Sequence, residues 1–344
     1  MGSQTLPKSD ETPRRTSGAG RTWWESSYYG VIGFIDSGFS RLQKLIGIKG
    51  MAYVFVLPNL LIFGIFILLP MLLNFAYAFT GGNRLLLQNR PAVGTQNIEQ
   101  LFQCEDLLDY TSCREDKFIR AIGNTTWFVT SQVTLMVGVS LITSLLLNRQ
   151  IAGRAFFRSV FFYPVLLSPI VVALLWSWIL RENGIINAWL VGVGLERIPF
   201  LTTNFWARTW VVLISVWSQM GFYTLILLAG LQAIPSDLYE AADIDGASNW
   251  NKFWSLTLPL LMPTMLVVLV LSLIRAVQVF DIVFAFTDGG PGTATLFIVQ
   301  YIYDVGFTTS QRLGIAASAS LVMASVLIVF TLAQIGLRAR SGEL

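Results

Sequence analysis

The chain contains no histidine and only two cysteines among its 344 residues. The lack of histidine excludes histidine metal sites and histidine acid–base catalysis. Charged residues make up only 12% of the chain, about half of their share in an average soluble protein. We therefore do not expect a soluble enzyme built around a metal or a histidine base.

Other familiar signals are also missing. The sequence has no Gly-x-x-x-x-Gly-Lys-Ser/Thr phosphate loop, and we expect no cofactor on this chain. Its first 50 residues lack the short apolar run and small-residue cleavage site of a signal peptide, and we expect none. The small net charge of +3 gives no reason to expect a nucleic-acid partner.

Long apolar runs are what the chain does have. Hydrophobic residues make up 54% of it, and the mean hydropathy is +0.62. Each run is long enough to cross a hydrocarbon core of about 30 Å. The sequence therefore predicts an all-α integral membrane protein with six spans, near 52–79, 121–147, 159–180, 209–231, 262–287 and 312–337.

The N-terminal segment differs in composition from the spans. Residues 1–22 are rich in Ser, Thr, Gly, Pro and charge, which predicts a disordered cytoplasmic tail. Residues 23–50 show apolar positions at helical spacing, with Trp and Tyr near the start. This pattern predicts an amphipathic helix in the membrane interface. The alternative is a helix packed on a soluble partner.

Lys and Arg in the flanks of the spans set the orientation. If both termini are cytoplasmic, more of these Lys and Arg residues lie on the cytoplasmic side than on the outer side. Loop 148–159, which holds three arginines and no acid, would then be cytoplasmic as well. The polar loop 80–120 would then lie outside and form a small external cap. Cys104 and Cys113 in this loop would meet an oxidising space, which favours a disulfide over two free thiols.

Residues 236–259 form the long polar interval between the fourth and fifth spans. Pro235 would break the preceding span, and Ser236 and Asp237 suit a helix N-cap. Gly246 permits a turn, and a second helical stretch leads to Pro259. The sequence thus predicts a helix–turn–helix hairpin on the inner membrane surface, although the same features also suit an ordinary surface loop.

The hairpin resembles the signature loop of the membrane subunits of bacterial ATP-binding-cassette importers. The matching residues are Glu240-Ala241-Ala242, Gly246 and, after nine residues, Leu256-Thr257-Leu258-Pro259, with Leu256 where the family usually has Ile. Segments 229–247 and 280–295 and the pair Asn124-Thr125 look like the carbohydrate branch, the maltose-type (type I) permeases. The resemblance covers roughly residues 50–340.

The resemblance implies a subunit that is not an enzyme. A second related permease and two ATPase subunits carrying ATP and Mg would complete a complex in the bacterial inner membrane, and an external binding protein would deliver the substrate. Glu240 would make a charge-assisted contact to the ATPase, beside other coupling residues. The other coupling residues would be Ala241 and Ala242, which would form a flat packing face, together with Asp245 and with Gly246 at the turn.

Polar residues in the fourth and fifth spans are candidates for the substrate pathway, because charge inside a membrane usually faces a cavity. In the fifth span, Arg275, Gln278 and Asp281 would lie along one flank of a single helix. In the fourth, Ser215, Gln219, Phe222 and Tyr223 would share one face. A structural pairing of Arg275, for example with Asp281, is the alternative for the charged residues.

The resemblance predicts import of a sugar or glycoside, such as trehalose, maltose or a related compatible solute. Arg275 also leaves an anionic substrate open, such as a glycerol phosphate. An ion-coupled secondary transporter would show inverted repeats and broken spans, and the sequence reveals neither. An intramembrane enzyme lacks a plausible catalytic pair.

Overall fold

The structure is a computed structural model that describes residues 43–44, 46–106, 109–150, 152–308 and 311–340. Within these ranges the chain is helical and no β-strand forms; only two isolated bridges occur. The helices are α1 (Ile46–Ala78), α2 (Gln96–Leu101), α3 (Asp116–Asn148), α4 (Arg154–Phe162), α5 (Pro169–Leu180), α6 (Ile185–Gly192), α7 (Asn204–Gln232), α8 (Ser236–Ile244), α9 (Asn249–Lys252), α10 (Leu258–Val277), α11 (Asp281–Phe286), α12 (Ile298–Tyr303) and α13 (Leu313–Arg340).

In the part of the chain that the structure describes, six helical segments are long and apolar enough to cross a membrane. The prediction of an all-α, six-span membrane protein is therefore confirmed for the described part of the chain. The six segments are Ile46–Ala78, Asp116–Asn148, Pro169–Gly192, Asn204–Gln232, Asn249–Val277 and Leu313–Gln334.

The N-terminal predictions are mostly outside the described residues. The tail 1–22 and most of the interfacial segment 23–50 cannot be compared with the structure, but residues 46–50 belong to α1 rather than to a separate helix. The described residues up to Met71 form one unit, and those from Leu72 onward form another. Most large apolar side chains described in the first unit are exposed, as suits a surface that meets lipid or another protein.

The third span does not run straight through 159–180 as predicted. α4 ends at Phe162, a 3-10 turn covers Tyr163–Leu166, and α5 begins at Pro169. Ser168 is extended, with ψ of 133°, because the residue before a proline avoids helical geometry. A short helix, α6, then extends this span to Gly192.

The fifth span also differs from the predicted 262–287, at both ends. It begins at Asn249, and a π-helical turn over Phe253–Thr257 joins α9 to α10. This wider turn directly precedes Pro259, whose ring would otherwise clash with the carbonyl four residues earlier. At the other end α10 stops at Val277, Phe280 leaves helical geometry with φ of −142°, and α11 starts at Asp281.

The main core lies where α7 packs against α3, α4, α5 and α10. Phe128, Met136, Leu227 and Val268 are fully buried there. Backbones approach closely at Gly221 of α7, where a Cβ atom would lie 2.2 Å from the Phe161 carbonyl oxygen. This close packing is consistent with α7 being the span with the largest buried share among the six.

A second core lies at the end of the bundle that is opposite to the hairpin. It contains Leu101, Phe118, Tyr301 and Ile315, which come from α2, α3, α12 and the start of α13. Glu115 is buried beside it and accepts a bidentate pair of hydrogen bonds from Arg312 and one from the Tyr301 hydroxyl. The neighbouring loop carries a Cys104–Cys113 disulfide, the alternative favoured from the sequence.

Asn124 of α3 fixes the loop after α11. Its Nδ2 donates to the Thr293 and Leu296 carbonyls at 2.7 and 3.1 Å, and its Oδ1 accepts from Arg208 Nη2. Arg208 also donates to the Ala294 carbonyl at 2.8 Å. Because Asn124 is 7% exposed, removing it would leave these groups without partners in a nearly dry site.

We therefore expect Asn124→Leu to lower the free energy of unfolding by about 3 kcal/mol, the cost of several unpaired buried polar groups. Thermal unfolding of the purified protein in detergent measures this effect. Thr126→Val is the matched control, because the exposed Thr126 hydroxyl bonds, among the described residues, only to the Ile122 carbonyl of its own helix. Equal midpoints for the two variants would contradict a clamping role for Asn124.

Candidate functional site

The first arm of the hairpin is α8, and its end explains the turn. The Ala247 amide donates to the Ala242 carbonyl at 2.9 Å, and the Gly246 amide donates to the Asp243 carbonyl at 3.1 Å. These two bonds form a Schellman motif, which needs a left-handed residue at Gly246, where φ is +74°. The predicted turn glycine is therefore at the turn.

The start of α8 differs slightly from expectation. Pro235 occupies the N-cap position, and Ser236 is the first helical residue, with no side-chain cap to the backbone. Proline has no amide hydrogen and cannot continue α7, so it separates the two helices without help from Ser236. Asp237 lies in the first turn, where its charge favours the positive end of the helix dipole.

Two contacts hold the second arm against the first, and a helix cap stabilises the second arm itself. Lys252 Nζ pairs with Asp243 at 2.6 Å, and the Tyr239 and Thr257 hydroxyls bond at 3.0 Å. Ser248 caps α9 by accepting from the Asn251 amide at 3.3 Å. The hairpin therefore has a fixed shape, and Asp243 is already paired within it.

The outward surface of the hairpin combines acids, small residues and apolar side chains. Glu240, Ala241, Asp245 and Gly246 are exposed and Ala242 is partly exposed. Within the described chain neither Glu240 nor Asp245 has a side-chain hydrogen-bond or ion-pair partner. Two large apolar side chains of the hairpin, those of Ile244 and Trp250, are 87% and 68% exposed. The sequence analysis did not single them out, although apolar residues within a polar interval could have indicated them. Such a surface suits docking of another protein.

The polar residues of the fifth span do not share one helix. Arg275 lies in the last turn of α10, Gln278 is its C-cap, and Asp281 begins α11. The prediction of one continuous helical flank is wrong, because the helix ends between them. All three residues are exposed, and within the described chain their side chains form no hydrogen bond or ion pair, so the proposed Arg275–Asp281 pair is not formed.

The four candidates on α7 differ in exposure. Ser215 and Tyr223 are 0% and 2% exposed, whereas Phe222 is 43% exposed and Gln219 lies between these extremes. They do not form one accessible face, because α3 and α10 pack over one side of α7.

The end opposite the hairpin holds a polar cavity of about 510 Å³. Glu115, Arg312, Asp288 and Asp304 contribute to its lining. Burial, together with the nearby Asp288 carboxylate, raises the pKa of Asp304. Among the residues that the structure describes, no cluster of three or more acids or cysteines could hold a metal ion.

Six apolar spans with a rigid, exposed hairpin between the fourth and fifth define a multi-pass membrane transport subunit. The pattern of one family, described as the binding-protein-dependent transport system inner membrane component, matches residues 54–340. The chain belongs to this family. It is thus an inner-membrane permease of a binding-protein-dependent ATP-binding-cassette importer.

Similar proteins cover nearly the whole span region. The lactose transport system permease protein of Rhizobium radiobacter is 30% identical over 86% of this chain and 95% of its own length. The trehalose/maltose transport system permease protein of Thermococcus litoralis is 33% identical over 82% of this chain and 91% of its own length.

Solved structures agree with the fold. A chain from the crystal structure of a bacterial importer of the acidic polysaccharide alginate superposes with a TM-score of 0.73 and 29% identity, over 87% of this chain and 99% of that one. A second structure of an alginate transporter, with a substrate-bound periplasmic protein, gives a TM-score of 0.72. The chain has the type I importer permease fold that the sequence predicted.

Proposed function

We propose that this chain forms half of the translocation pathway of an ATP-driven carbohydrate importer. The observation that carries the proposal is the hairpin, which has a fixed shape and carries an acid, Glu240, that no described residue pairs with, beside the small residues Ala241 and Ala242. The hairpin can transmit a movement of a bound protein to the spans only if its two arms move together. The Lys252–Asp243 and Tyr239–Thr257 contacts supply that stiffness.

The partner on this surface is an ATPase subunit on the cytoplasmic side, in a complex with two ATPase subunits and a second related permease. ATP binding would draw the ATPase pair together and move the hairpins, and the spans would change from inward-facing to outward-facing. This mechanism biases a two-state bundle by contacts that differ between its states. Both chain termini would then be cytoplasmic, and membrane lipid would surround the spans.

The substrate class is a sugar or glycoside, such as a trehalose- or maltose-like disaccharide or a related compatible solute. Support comes from the relatives, which are a lactose and a trehalose/maltose permease. One observation favours a second candidate, an anionic or glycerol-phosphate substrate: Arg275 is exposed, and no described carboxylate pairs with it. The alginate importer, which resembles this chain, also takes an acidic substrate.

ATPase activity of the reconstituted complex tests this proposal. The complex with its binding protein is incubated with a panel of neutral disaccharides, glycosides, acidic sugars and glycerol phosphate. Stimulation by at least one carbohydrate supports the proposal. Uptake that continues without ATP and collapses with an ionophore would instead indicate an ion-coupled transporter, a class in which broken spans also occur.

A variant of Arg275 distinguishes an anionic substrate from a neutral sugar. If it contacts an anionic substrate, we expect Arg275→Ala to lower the apparent affinity for that substrate about tenfold or more, the effect of losing a hydrogen bond to a charged group. Neutral sugars would show a smaller change. The matched control is Arg197→Ala, which removes an exposed arginine from the loop between α6 and α7. Unchanged uptake across the whole panel would leave Arg275 with a structural role only.

A further inference from the structure

A second polar cluster lies at the hairpin end of the bundle and has no part in the docking surface. It consists of Arg154 and Arg158, one turn apart on α4, and Gln232, the last residue of α7. With its amide oxygen turned toward α4, Gln232 accepts hydrogen bonds from Arg154 Nη2 at 2.7 Å and from Arg158 Nη2 at 2.9 Å. One neutral oxygen thus holds two cations together.

The charge of this cluster is not compensated within the described chain. The ion pairs there join Arg120 to Asp116, Lys252 to Asp243 and Arg312 to Glu115, and none involves Arg154 or Arg158. The Nε atoms of both arginines are buried without a hydrogen-bond partner in that part of the chain. Two guanidinium groups that lie close together and share one neutral acceptor favour an anion beside them.

The rest of α4 indicates where that anion comes from. Phe156, Val160 and Tyr163, on or directly after the helix, are 68%, 48% and 61% exposed. A short helix that exposes aromatic and aliphatic residues beside arginines is typical of the boundary between headgroups and acyl chains. Apolar side chains would there meet lipid tails while the guanidinium groups reach the phosphates.

We infer that Arg154, Arg158 and Gln232 bind the phosphate headgroup of an anionic phospholipid, at the membrane surface that carries the hairpin. Basic pockets between helices at such a surface suit these headgroups. The site lies at the end of α7, directly before Pro235 and α8. A bound lipid would therefore hold the base of the hairpin. The inference does not depend on which solute is transported.

Native mass spectrometry tests the site. The full-length permease, with the subunits that co-purify, is titrated with phosphatidylglycerol and, separately, with phosphatidylcholine. We expect the double variant Arg154→Gln/Arg158→Gln to bind phosphatidylglycerol about tenfold more weakly, with little change for phosphatidylcholine. Arg84→Gln, at an exposed arginine in the loop after α1, is the control and should keep the parent affinity.

A second variant keeps both arginines in case the double variant folds poorly. Gln232→Glu places a carboxylate between them and should also weaken phosphatidylglycerol binding. Parent-like lipid binding by both variants would overturn the site. Displacement of the lipid by inorganic phosphate at equal concentration would overturn the lipid assignment in favour of a free anion. Loss of a co-purifying subunit, with lipid binding unchanged, would assign the arginines to a protein contact.

Discussion

Glu240→Lys is expected to abolish most coupled transport while leaving the permease folded in the membrane. The carboxylate is exposed on α8 and unpaired within the described chain, so its reversal costs the fold little. At the ATPase contact it would replace an attraction by a repulsion. We expect substrate-stimulated ATPase activity and uptake to fall about tenfold to a hundredfold, as for the loss of a charged hydrogen bond.

The matched control for this variant is Glu196→Lys. It makes the same charge change at an exposed carboxylate in the loop between α6 and α7, which α7 separates from the hairpin. Uptake by this control should stay at the parent level. Normal uptake by Glu240→Lys, or an equal loss in both variants, would contradict the docking role of Glu240.

Gly221→Ala is expected to be the most damaging change of a single methyl group in the bundle. Its Cβ would lie 2.2 Å from the Phe161 carbonyl oxygen and 2.8 Å from the Phe162 Cα. Both are backbone atoms, so neither can rotate away, and α4 must move from α7. We expect the free energy of unfolding to fall by about 3 kcal/mol, at the upper end for overpacked cores. Thermal unfolding in detergent measures the change.

Gly138→Ala is the control for that substitution. Gly138 also lies inside a span, α3, but apart from the nearby backbone of its own helix and its chain neighbours, no atom of the described residues lies within 4 Å of its added Cβ. Replacing a helical glycine in open space should raise stability by about 0.5–1 kcal/mol. If Gly221→Ala were as stable as Gly138→Ala, the close approach of α4 and α7 would not exist in the membrane.

The parts of the fold that the sequence could predict are those governed by local rules. Apolar runs of sufficient length require spans, because the backbone must bond to itself in hydrocarbon. Gly246 predicts a left-handed turn because few other residues adopt that geometry. The family motif located the hairpin within an otherwise apolar chain.

Breaks inside spans were harder to predict, for two different reasons. Pro164 and Pro169 were visible in the third span, but the apolar run across them masked the interruption. At Gln278–Phe280 there is neither Gly nor Pro, so nothing local ends the helix. There α11 packs against α5 and α7, and such long-range contacts cannot be read from periodicity. The polar flank predicted through Asp281 was wrong for this reason.

The candidate substrate residues show the same limit. Ser215 and Tyr223 are polar residues of α7, and their helical spacing predicted that they would share one face with Gln219. Their burial depends on how closely α3 and α10 approach α7, and the spacing of residues within α7 does not reveal that approach. Arg154 and Arg158 are distant in sequence from Gln232, and only the fold brings that residue to them.

Thiol labelling of the hairpin tests the central proposal most directly. Both native cysteines are in the disulfide, so Ile244→Cys, at a residue that is 87% exposed, would introduce one free thiol. We predict that a membrane-impermeant reagent labels it only from the cytoplasmic side, and that the bound ATPase protects it. Labelling from outside, or equal labelling with and without the ATPase, would contradict the assignment of this hairpin as the ATPase-docking element.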